Sequence, residues 1–554
     1  MIITQPSDLW YKNAIVYCID VSAFFDSNCD GMGDFNGLTS KLDYLAGLGV
    51  TCVWLMPFYP SPQRDGGYDV VDYYGVDARL GSLGDFVEFT RAAQERGIRV
   101  IIDLVVQHTS SEHPWFESAR TSRESPHHAF YVWNDEPPPH RHDELVFPGE
   151  QDALWTYVPE VDSYYRHRFY DHQPDLNTTN PEVLDEIAKV IGFWLTLGVS
   201  GFRLDAAPFL MDSTGIAQPL EASPYALLHE LRRVASWRKG DAVFLAEANI
   251  LPVEAPRYFE QGHGMHMLIN FWLNQHLFLS LARCTAEPLS RAIASLPQLP
   301  PQSAWANFLR NHDELDLGRL QQSERDEIYA CFAPQASMRI YNRGIRRRLA
   351  AMLADGKRVE LALSLLFSLP GTPVLFYGDE LGMGDDLALP ARSAVRTAMQ
   401  WADQPNAGFS MAPSDRLQRA VIAEGPFAYP DLNVAALERE PNSLLNRTER
   451  LIRARKQCPE FGWGELELVA TSHEAVLAHV CTWQESRVFA VHNFSNEPAE
   501  ATIHFGSQEQ APLTELVQDT QYEPVDSFDR VKLGRFGYRW FRFGTSRTLE
   551  PGSS

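Results

Sequence analysis

The sequence predicts an α/β fold: a (β/α)₈ barrel with a small domain inserted after the third strand and a C-terminal antiparallel β domain. Through roughly the first 460 residues, short apolar or β-branched runs alternate with amphipathic stretches, as in repeated βα units. One connection of about seventy residues is too long for an ordinary βα loop. After Gln457 the pattern changes to short alternating runs without long amphipathic stretches, which is typical of antiparallel strands.

Eight runs have the length and the apolar character of buried strands. They are Ile15–Val21, Cys52–Leu55, Val100–Val105, Gly201–Leu204, Val243–Glu247, Met267–Ile269, Trp305–Leu309 and Pro373–Phe376. The amphipathic stretches between and after them predict helices at Leu38–Leu48, Phe86–Arg96, Pro181–Leu197, Tyr225–Trp237 and Leu445–Lys456. Eight strands alternating with helices match a (β/α)₈ barrel.

The long connection and the change of pattern divide the chain. We expect barrel residues at 1–107, the inserted small domain at 108–176, the rest of the barrel at 177–457 and the C-terminal β domain at 458–554. An extra helical insertion is expected at about 315–355. Strand candidates in the last domain are Val476–Thr482, Arg487–Asn493, Ala501–Phe505 and Tyr538–Phe543, and the tail at 545–554, TSRTLEPGSS, is expected to be disordered.

Composition and charge exclude several classes of protein. The 45% hydrophobic content is that of an ordinary globular protein. A net charge of −24 would repel a nucleic-acid backbone or an anionic membrane surface. The chain has no run of about eighteen apolar residues, which is the length needed to span a membrane. We therefore expect no nucleic acid and no membrane as partner, but a neutral small molecule; an oligomer is possible.

Seven cysteines are scattered singly through the chain, without a CxxC pair or a short-spaced framework. Reduced thiols are the simplest interpretation of that pattern. The first residues, MIITQPSDLWYKN, lack a basic region followed by an apolar core. Both observations predict a cytoplasmic protein.

Polar side chains close four of the predicted strands. A charged residue after one strand is usually only the first solvated loop residue, but the coincidence at four strands indicates a shared site. Barrel enzymes carry their reactive groups at the carboxyl ends of strands. The candidates are Asp103 and His108 in IIDLVVQH, Arg203 and Asp205 in GFRLD, Glu247 in VFLAE, and His312 and Asp313 in NFLRNHD.

The segment DSNCDGMGD at 26–34 places oxygen-bearing residues at alternate positions, as in the first part of an EF-hand loop. Gly31 would make the tight bend. Where that loop ends in Glu, this chain has Gly37, so a structural Ca²⁺ or Mg²⁺ is expected rather than a sensor; the alternative is a solvated acidic loop. The predicted metal ligands are Asp26, Asn28, Asp30, the Met32 carbonyl and Asp34.

The segments DLVVQH, GFRLDAAP, FLAEAN and FLRNHDE, in this order, resemble the four signature segments of glycoside hydrolase family 13, the α-amylase family. QPDLN at 173–177 resembles its fifth segment, GVTCVWLMPFYPSP at 49–62 its second strand and GTPVLFYGDELGM at 371–383 its eighth. The resemblance extends over essentially the whole chain, with the segment order preserved. It implies a retaining enzyme that processes α-glucosides.

Cleavage with retention needs a nucleophilic carboxylate and a separate acid/base carboxyl about 5–5.5 Å apart. The resemblance implies that Asp205 is the nucleophile, that Glu247 is the acid/base, and that Asp313 binds the 2- and 3-hydroxyls of the sugar. Arg203 lies two residues before Asp205 in an extended strand, so its guanidinium is expected to keep that carboxylate ionised with a low pKa. Glu247, after the apolar run VFLA, is expected to have a raised pKa.

The resemblance also implies a glucose-sized first subsite. DGGYD at 65–69 resembles the family's loop after the second strand, where Tyr68 would stack under the glucose ring and Asp69 would bind its 4- and 6-hydroxyls. The alternative for DGGYD is a simple turn. The alternative for His108 and His312 is that they are core histidines without a substrate role. The other candidate substrate-binding side chains are those of His108, Arg203, His312 and Arg392.

Within the family, further segments resemble the trehalose synthases, which isomerise maltose to trehalose. These are WYKNAIVYCIDVSAFFDSNCDGMGDFNGLTSKLDYL, PFYPSPQRDGGYDV, SSEHPWF, MRIYNRGIRRRLAAML and VRTAMQW. Such an enzyme cleaves the disaccharide, reorients the free glucose in a closed pocket and rejoins it through another hydroxyl, so water must be excluded. The implied substrate is maltose, trehalose or a similar small α-glucoside.

The chain departs at one position from the first signature segment of the family and at two positions from the trehalose synthases. Gln107 replaces the usual Asn, and its extra methylene would displace a second calcium site that relatives build with a residue like Asp175. Gly318 stands where trehalose synthases typically carry Glu, and Ala398 where they have the Pro of RTPMQW. A gate that lacks the Glu would admit water, so hydrolysis is expected as a side reaction.

Other functions stay open at this point. The chain could be an α-glucosidase or another α-glucosyltransferase acting on short α-glucosides, with an acceptor that the sequence does not identify. An inactive sugar-binding protein or a starch-surface adhesin are alternatives of a different class. Intact Asp205, Glu247 and Asp313 argue against the inactive protein, and a glucose-release assay would separate it from an enzyme.

Overall fold

A computed structural model of the chain contains the expected closed barrel of eight parallel strands, in which each strand pairs with the next along the chain. The structure describes residues 7–138, 142, 145–212, 225–505, 513–525 and 530–544. The predicted fold class is confirmed, and the strand bounds agree with the predicted ones or differ by one or two residues. The strands are β1 Val16–Ile19, β2 Cys52–Leu55, β3 Arg99–Leu104, β4 Gly201–Leu204, β5 Val243–Ala246, β6 Met267–Ile269, β7 Ala304–Phe308 and β8 Thr372–Phe376.

Helices cover the barrel from outside, which explains why its strands are buried on both faces and read as continuous apolar runs. Their ends follow local signals: Ser82 and Asp85 form a reciprocal capping box, and Pro181 follows the Asn180 cap. The longer helices are Leu83–Glu95, Pro181–Thr196, Ala226–Arg238, Phe271–Arg283, Glu287–Ser295, Gln322–Phe332, Gly356–Ser368 and Leu444–Lys456.

The single helix predicted at Leu38–Leu48 is two helices, Phe35–Ser40 and Leu42–Leu48. Lys41 lies between them with non-helical dihedral angles. The Thr39 and Ser40 hydroxyls donate to main-chain carbonyls one turn back, a contact that weakens and bends helices.

The segment after β3 contains the helix Pro114–Ala119 and a three-stranded antiparallel sheet. The strands of this sheet are Trp133–Asn134, Trp155–Val158 and Ser163–Arg166. A bridge between His108 and Asp175 closes the base of the insertion next to the end of β3. The insertion is thereby held over the carboxyl end of the barrel.

The segment predicted as a helical insertion at about 315–355 is only partly helical. Besides Gln322–Phe332 and Leu349–Leu353, it contains a small sheet in which Gly344–Ile345 pairs with both Leu315–Asp316 and Arg339–Ile340. The sheet strands are two residues long, too short for an alternating pattern to show in the sequence.

The C-terminal domain is a six-stranded antiparallel sheet with a separate two-stranded one, as expected for the class. The predicted strand Ala501–Phe505 is divided into Ala499–Ala501 and Ile503–His504, which pair with different strands. The predicted disordered tail at 545–554 lies outside the described residues. The remaining strands are Glu465–Thr471, Val476–Trp483, Ser486–Asn493, Leu513–Gln518, Val531–Leu533 and Tyr538–Phe543.

All seven cysteines lie in the described part of the chain, and each is unpaired. In the same part of the chain, every helix is too short or too polar to cross a lipid bilayer.

Candidate active site

The three predicted catalytic carboxylates line one cavity of about 410 Å³ at the carboxyl end of the barrel. Asp205 and Glu247 directly follow β4 and β5, and Asp313 lies in the segment after β7. Tyr68, His108 and Arg392 line the same cavity, while Arg203, His312 and Asp69 do not. The chain therefore brings six of the nine predicted catalytic and substrate-binding side chains to one cavity.

Arg203 is buried beneath the carboxylates and shared among them. One terminal nitrogen of its guanidinium bonds both Asp103 Oδ1 and Asp205 Oδ1, and the other lies 2.7 Å from Glu247 Oε1. The main-chain N–H of Ala206 donates to Glu247 Oε2 at 3.1 Å, with Ala206 in the left-handed region at φ 49°. A strained conformation of this kind persists where surrounding contacts require it, often at functional sites.

Burial dominates the ionisation of both central carboxyls. It raises the pKa of Asp205 to about 7, and the nearby Arg203 guanidinium offsets this only in part. The expectation of a low pKa for Asp205 is therefore wrong, because burial outweighs a guanidinium that Asp205 shares with Asp103 and Glu247. Burial also raises the pKa of Glu247 to about 7, in the expected direction.

Asp313 has a different environment. Its burial favours the neutral acid, but Arg392, His312 and Arg396 together hold the pKa of its carboxyl below the ordinary value. Arg392 and Arg396 each place a nitrogen near its Oδ1, at 3.0 and 3.2 Å. Gly66 makes this possible, because a Cβ there would lie 2.2 Å from the Arg396 guanidinium.

Three predicted substrate-binding side chains, those of Asp69, Arg203 and His312, do not line the cavity. Asp69 is fully buried and accepts hydrogen bonds from the Ser61 hydroxyl and the Arg64 N–H, and its assignment to the sugar hydroxyls stays a prediction. It is Asp65, at the other end of the DGGYD turn, that lines the cavity. Burial raises the pKa of the Asp65 carboxyl.

The two predicted histidines are held by the protein itself. His108 has one ring nitrogen 3.1 Å from the Tyr68 carbonyl and the other 2.8 Å from Gln107 Oε1. His312 is fully buried, with Nε2 2.7 Å from the Tyr68 hydroxyl. Burial lowers the pKa of His108 to about 3 and that of His312 well below its ordinary value, so both rings are neutral near pH 7.

An aromatic cluster that the sequence did not indicate covers one side of the cavity. Phe147 from the insertion lies 4.7 Å from Tyr341 of the segment after β7 and 4.9 Å from Tyr170, between ring centroids. The Arg392 guanidinium lies over both Phe147 and Tyr341, at 4.7 and 5.4 Å. Phe147 and Tyr170 belong to no motif, and the segment MRIYNRGIRRRLAAML, which contains Tyr341, did not predict this contact, because the three residues come from irregular segments far apart in the sequence.

The 26–34 loop folds around its own acidic side chains. Asp26 accepts hydrogen bonds from the N–H groups of Asn28, Cys29 and Gly31, and Asp34 accepts from Gly37. Asp30 accepts from the Met32 N–H, and the Asn28 amide oxygen from the Asp30 N–H. No three His, Cys, Asp or Glu side chains of the described residues are grouped to hold a metal ion.

The donor set of that loop nevertheless consists of oxygens, which suits Ca²⁺ or Mg²⁺, and a carboxylate oxygen that accepts one N–H retains a second lone pair. The cation stays a prediction, and no catalytic step depends on it. At the position of the second calcium site of relatives, Asp175 is buried, accepts from the Arg168 N–H and lies 3.5 Å from Arg166 Nε. A guanidinium therefore already balances the charge of that carboxylate.

Comparison with known proteins identifies the family of the chain. Residues 19–464 match the α-amylase catalytic domain, and residues 486–542 match a sucrose hydrolase-like C-terminal domain. A trehalose synthase/amylase from Mycolicibacterium smegmatis is 42% identical over 566 residues, covering 99% of this chain and 95% of that protein. A trehalose synthase from Thermus thermophilus is 41% identical over 536 residues, 96% of this chain, but the chain spans only 55% of its length.

Solved structures show the same architecture. An α-glucosyl transfer enzyme superimposes with a TM-score of 0.79 at 26% identity, covering 98% of this chain and all of that one. The likeness includes the insertion and the C-terminal sheet as well as the barrel, since almost the full length of both chains is matched.

Proposed function

Since the chain belongs to the α-amylase family and is an enzyme acting on α-glucosides, we propose that it is a trehalose synthase-like transglucosylase that converts maltose to trehalose, with hydrolysis as a side reaction. The observation that carries this proposal is the placement of Asp205, Glu247 and Asp313 around one cavity beneath Phe147 and Tyr341. A reaction that keeps its intermediate glucose needs both the carboxylates and the cover.

The chemistry follows from the two central carboxyls. Ionised Asp205 attacks the anomeric carbon of the non-reducing glucose, while protonated Glu247 gives its proton to the glycosidic oxygen and maltose loses free glucose. The freed glucose then turns within the cavity. Glu247, now a carboxylate, removes the proton of the glucose 1-hydroxyl, whose oxygen displaces Asp205 and forms the 1,1-linkage of trehalose.

One proton shared by the pair is the form that this cycle requires. With burial raising both pKa values to about 7, the singly protonated pair is well populated near neutral pH. Arg203, which contacts both groups, supports the charge that moves from Asp205 to Glu247 during the first step.

Asp313 supports the transition state in another way. Arg392 and Arg396 favour the ionised form of Asp313. This carboxylate can accept hydrogen bonds from the 2- and 3-hydroxyls of the ring as positive charge develops at the anomeric carbon. Tyr68 and Asp65 line the same cavity and are suited to contact the other face and edge of that ring.

Compartment and substrate are part of the proposal. Seven unpaired cysteines support a reducing compartment, and we expect the enzyme to work in the cytoplasm. The substrate is a small α-glucoside, namely maltose, trehalose or a similar sugar.

The product distribution from maltose tests the function. We expect trehalose to exceed free glucose throughout a time course resolved by chromatography, with glucose as a minor product. Glucose alone would make the protein an α-glucosidase and contradict the proposal. Cleavage of an aryl α-glucoside without action on maltose would identify another small α-glucoside as donor, and no action on either would leave a sugar-binding protein.

A further inference from the structure

One wall of the cavity is crossed by a chain of polar contacts that starts at Asn249, two residues after Glu247, and ends at Asp313. Asn249 Nδ2 donates to Asp316 Oδ2 at 3.0 Å, and the same oxygen lies 3.5 Å from Arg343 Nε. Arg343 also lies 3.8 Å from Glu314 Oε1. The other oxygen of Glu314 accepts from Arg392 at 2.9 Å, and Arg392 contacts Asp313.

Arg343 is the branch point of this chain. Its Nη1 donates to the Val146 carbonyl at 2.7 Å, which ties the inserted domain to the segment after β7. Val146 precedes Phe147, whose ring lies against Tyr341, two residues before Arg343. One guanidinium therefore fixes both sides of the aromatic cover.

The local sequence is adapted to this arrangement. A Cβ at Gly318 would lie 2.9 Å from Asp316 Oδ1 and 3.2 Å from Arg343 Cδ, and one at Gly344 would lie 2.6 Å from Glu314 Cγ. The Gly318 N–H instead donates to Asp316 at 2.7 Å. The absence of a side chain at 318 is thus what lets the Asp316 carboxylate and the Arg343 stem lie side by side.

We propose that Arg343, held between Asp316 and Glu314 and bonded to the Val146 carbonyl, closes the acceptor side of the cavity and sets the ratio of glucosyl transfer to hydrolysis. Arg343 is a positioning residue, because it holds the aromatic cover formed by Phe147 and Tyr341 and not the reacting atoms. The inference rests on the proposed function and names the contact that keeps glucose in and water out.

The test compares Arg343→Gln, Arg343→Lys and the wild type, with Arg339→Gln as a matched control. Arg339 belongs to the same small sheet but is exposed and donates to Ala333 O, away from the cavity. From maltose, Arg343→Gln should raise the ratio of glucose to trehalose about fivefold, Arg343→Lys by less, and Arg339→Gln not at all. Cleavage of an aryl α-glucoside, which needs no retained sugar, should stay within about twofold of wild type.

A second readout separates this inference from the proposed function. With an aryl α-glucoside as donor and added glucose as acceptor, the share of glucosyl groups transferred rather than hydrolysed is measurable even in an enzyme that makes no trehalose. A wild type without trehalose would overturn the proposed function alone. An unchanged transfer share in Arg343→Gln, or a parallel loss of aryl α-glucoside cleavage, would overturn the role of Arg343.

A variant that leaves Arg343 in place gives an independent check. Gly318→Ala crowds the Asp316 carboxylate and the Arg343 stem, so it should raise hydrolysis in the same direction as Arg343→Gln. Hydrogen exchange at the amides of Val146 and Phe147 should be faster in both variants than in Arg339→Gln. Equal exchange in all three proteins would contradict a bridge between the two segments.

Discussion

The residues of the site act as a shared set of charges rather than as separate groups. Arg203 supplies one positive charge to Asp103, Asp205 and Glu247, so none of the three is fully balanced. Asp313, in contrast, contacts two arginines, Arg392 and Arg396. Of these, Arg392 also pairs with Glu314. Burial therefore raises the pKa values of the central pair, while cations lower that of Asp313.

Substitution of the two reacting carboxyls should separate their roles. Asp205→Asn removes the nucleophile but no core packing, so turnover of maltose and of an aryl α-glucoside should fall by roughly 10⁴-fold or more while the melting temperature changes little. Glu247→Gln should be as damaging with maltose but far less so with an aryl α-glucoside, whose leaving group departs without a proton.

Glu230→Gln, on an exposed helical surface where Glu230 pairs with Arg233, serves as the control and should retain full activity. Steady-state kinetics on both substrates provide the measurement. Activity of Asp205→Asn within tenfold of wild type would contradict its role, and equal losses on both substrates for Glu247→Gln would contradict its role as acid.

Residues adjacent to strands could be predicted, and residues in irregular loops could not. Asp205 and Glu247 follow buried strands whose ends meet at one face, so their side chains had to converge. In the DGGYD turn, the sequence could not show that Asp69 turns inward to Ser61 while Asp65 lines the cavity. That choice depends on positive φ at Gly66 and Gly67, which the tertiary fold decides.

At the scale of elements, the sequence predicted the barrel strands but not the structure of the loops around the site. The barrel strands could be located within two residues because they are short, continuous apolar runs. The sequence did not predict the sheet around Gly344–Ile345, because each of its strands has two residues and is held by a partner distant in sequence. The same loops carry Asp316, Arg343 and Tyr341, so the least predictable elements cover the site.

The 26–34 loop is the element with the clearest untested prediction. Its main chain wraps around Asp26, and a Ca²⁺ bound to the remaining lone pairs would stabilise the folded state by mass action. We expect millimolar Ca²⁺ to raise the melting temperature of chelator-treated protein by several degrees, with a smaller effect on rate at moderate temperature.

Asp30→Ala should remove that increase. Asp72→Ala is the matched control, because Asp30 and Asp72 are both exposed and each accepts from the N–H two residues on, at 2.9 and 2.8 Å. Differential scanning fluorimetry with and without Ca²⁺ decides the matter. A melting temperature that does not respond to Ca²⁺ in the wild type would refute the metal site.

At the scale of the whole molecule, the C-terminal sheet is fastened to the barrel helix Gly356–Ser368 by buried polar contacts. His479 Nε2 lies 3.1 Å from the Ser368 carbonyl, and His492 Nε2 lies 2.9 Å from the Ser364 hydroxyl. The Trp540 indole N–H also donates to Ser364, at 2.9 Å. Both imidazoles are fully buried, and their rings stack 5.8 Å apart, so a proton on either would be costly.

This junction predicts a loss of stability in acid. Burial lowers the pKa of His479 to about 4 and that of His492 well below its ordinary value, whereas an unfolded histidine titrates near pH 6.5. Below about pH 6.5 these histidines therefore bind protons in the unfolded chain but not in the folded one. The free energy of unfolding falls as pH drops towards 4. For His479 the loss is on the order of 3 kcal/mol across that window.

Melting temperatures measured from pH 7.5 to pH 4.5 should fall more steeply in the wild type than in His479→Gln, because glutamine keeps an N–H donor for the Ser368 carbonyl without titrating. His504→Gln, at an exposed histidine of the same domain, should leave the slope unchanged. If His479→Gln and the wild type lost stability in parallel, the acid sensitivity would have to originate in other buried groups such as His108, and the junction between sheet and barrel would not be its source.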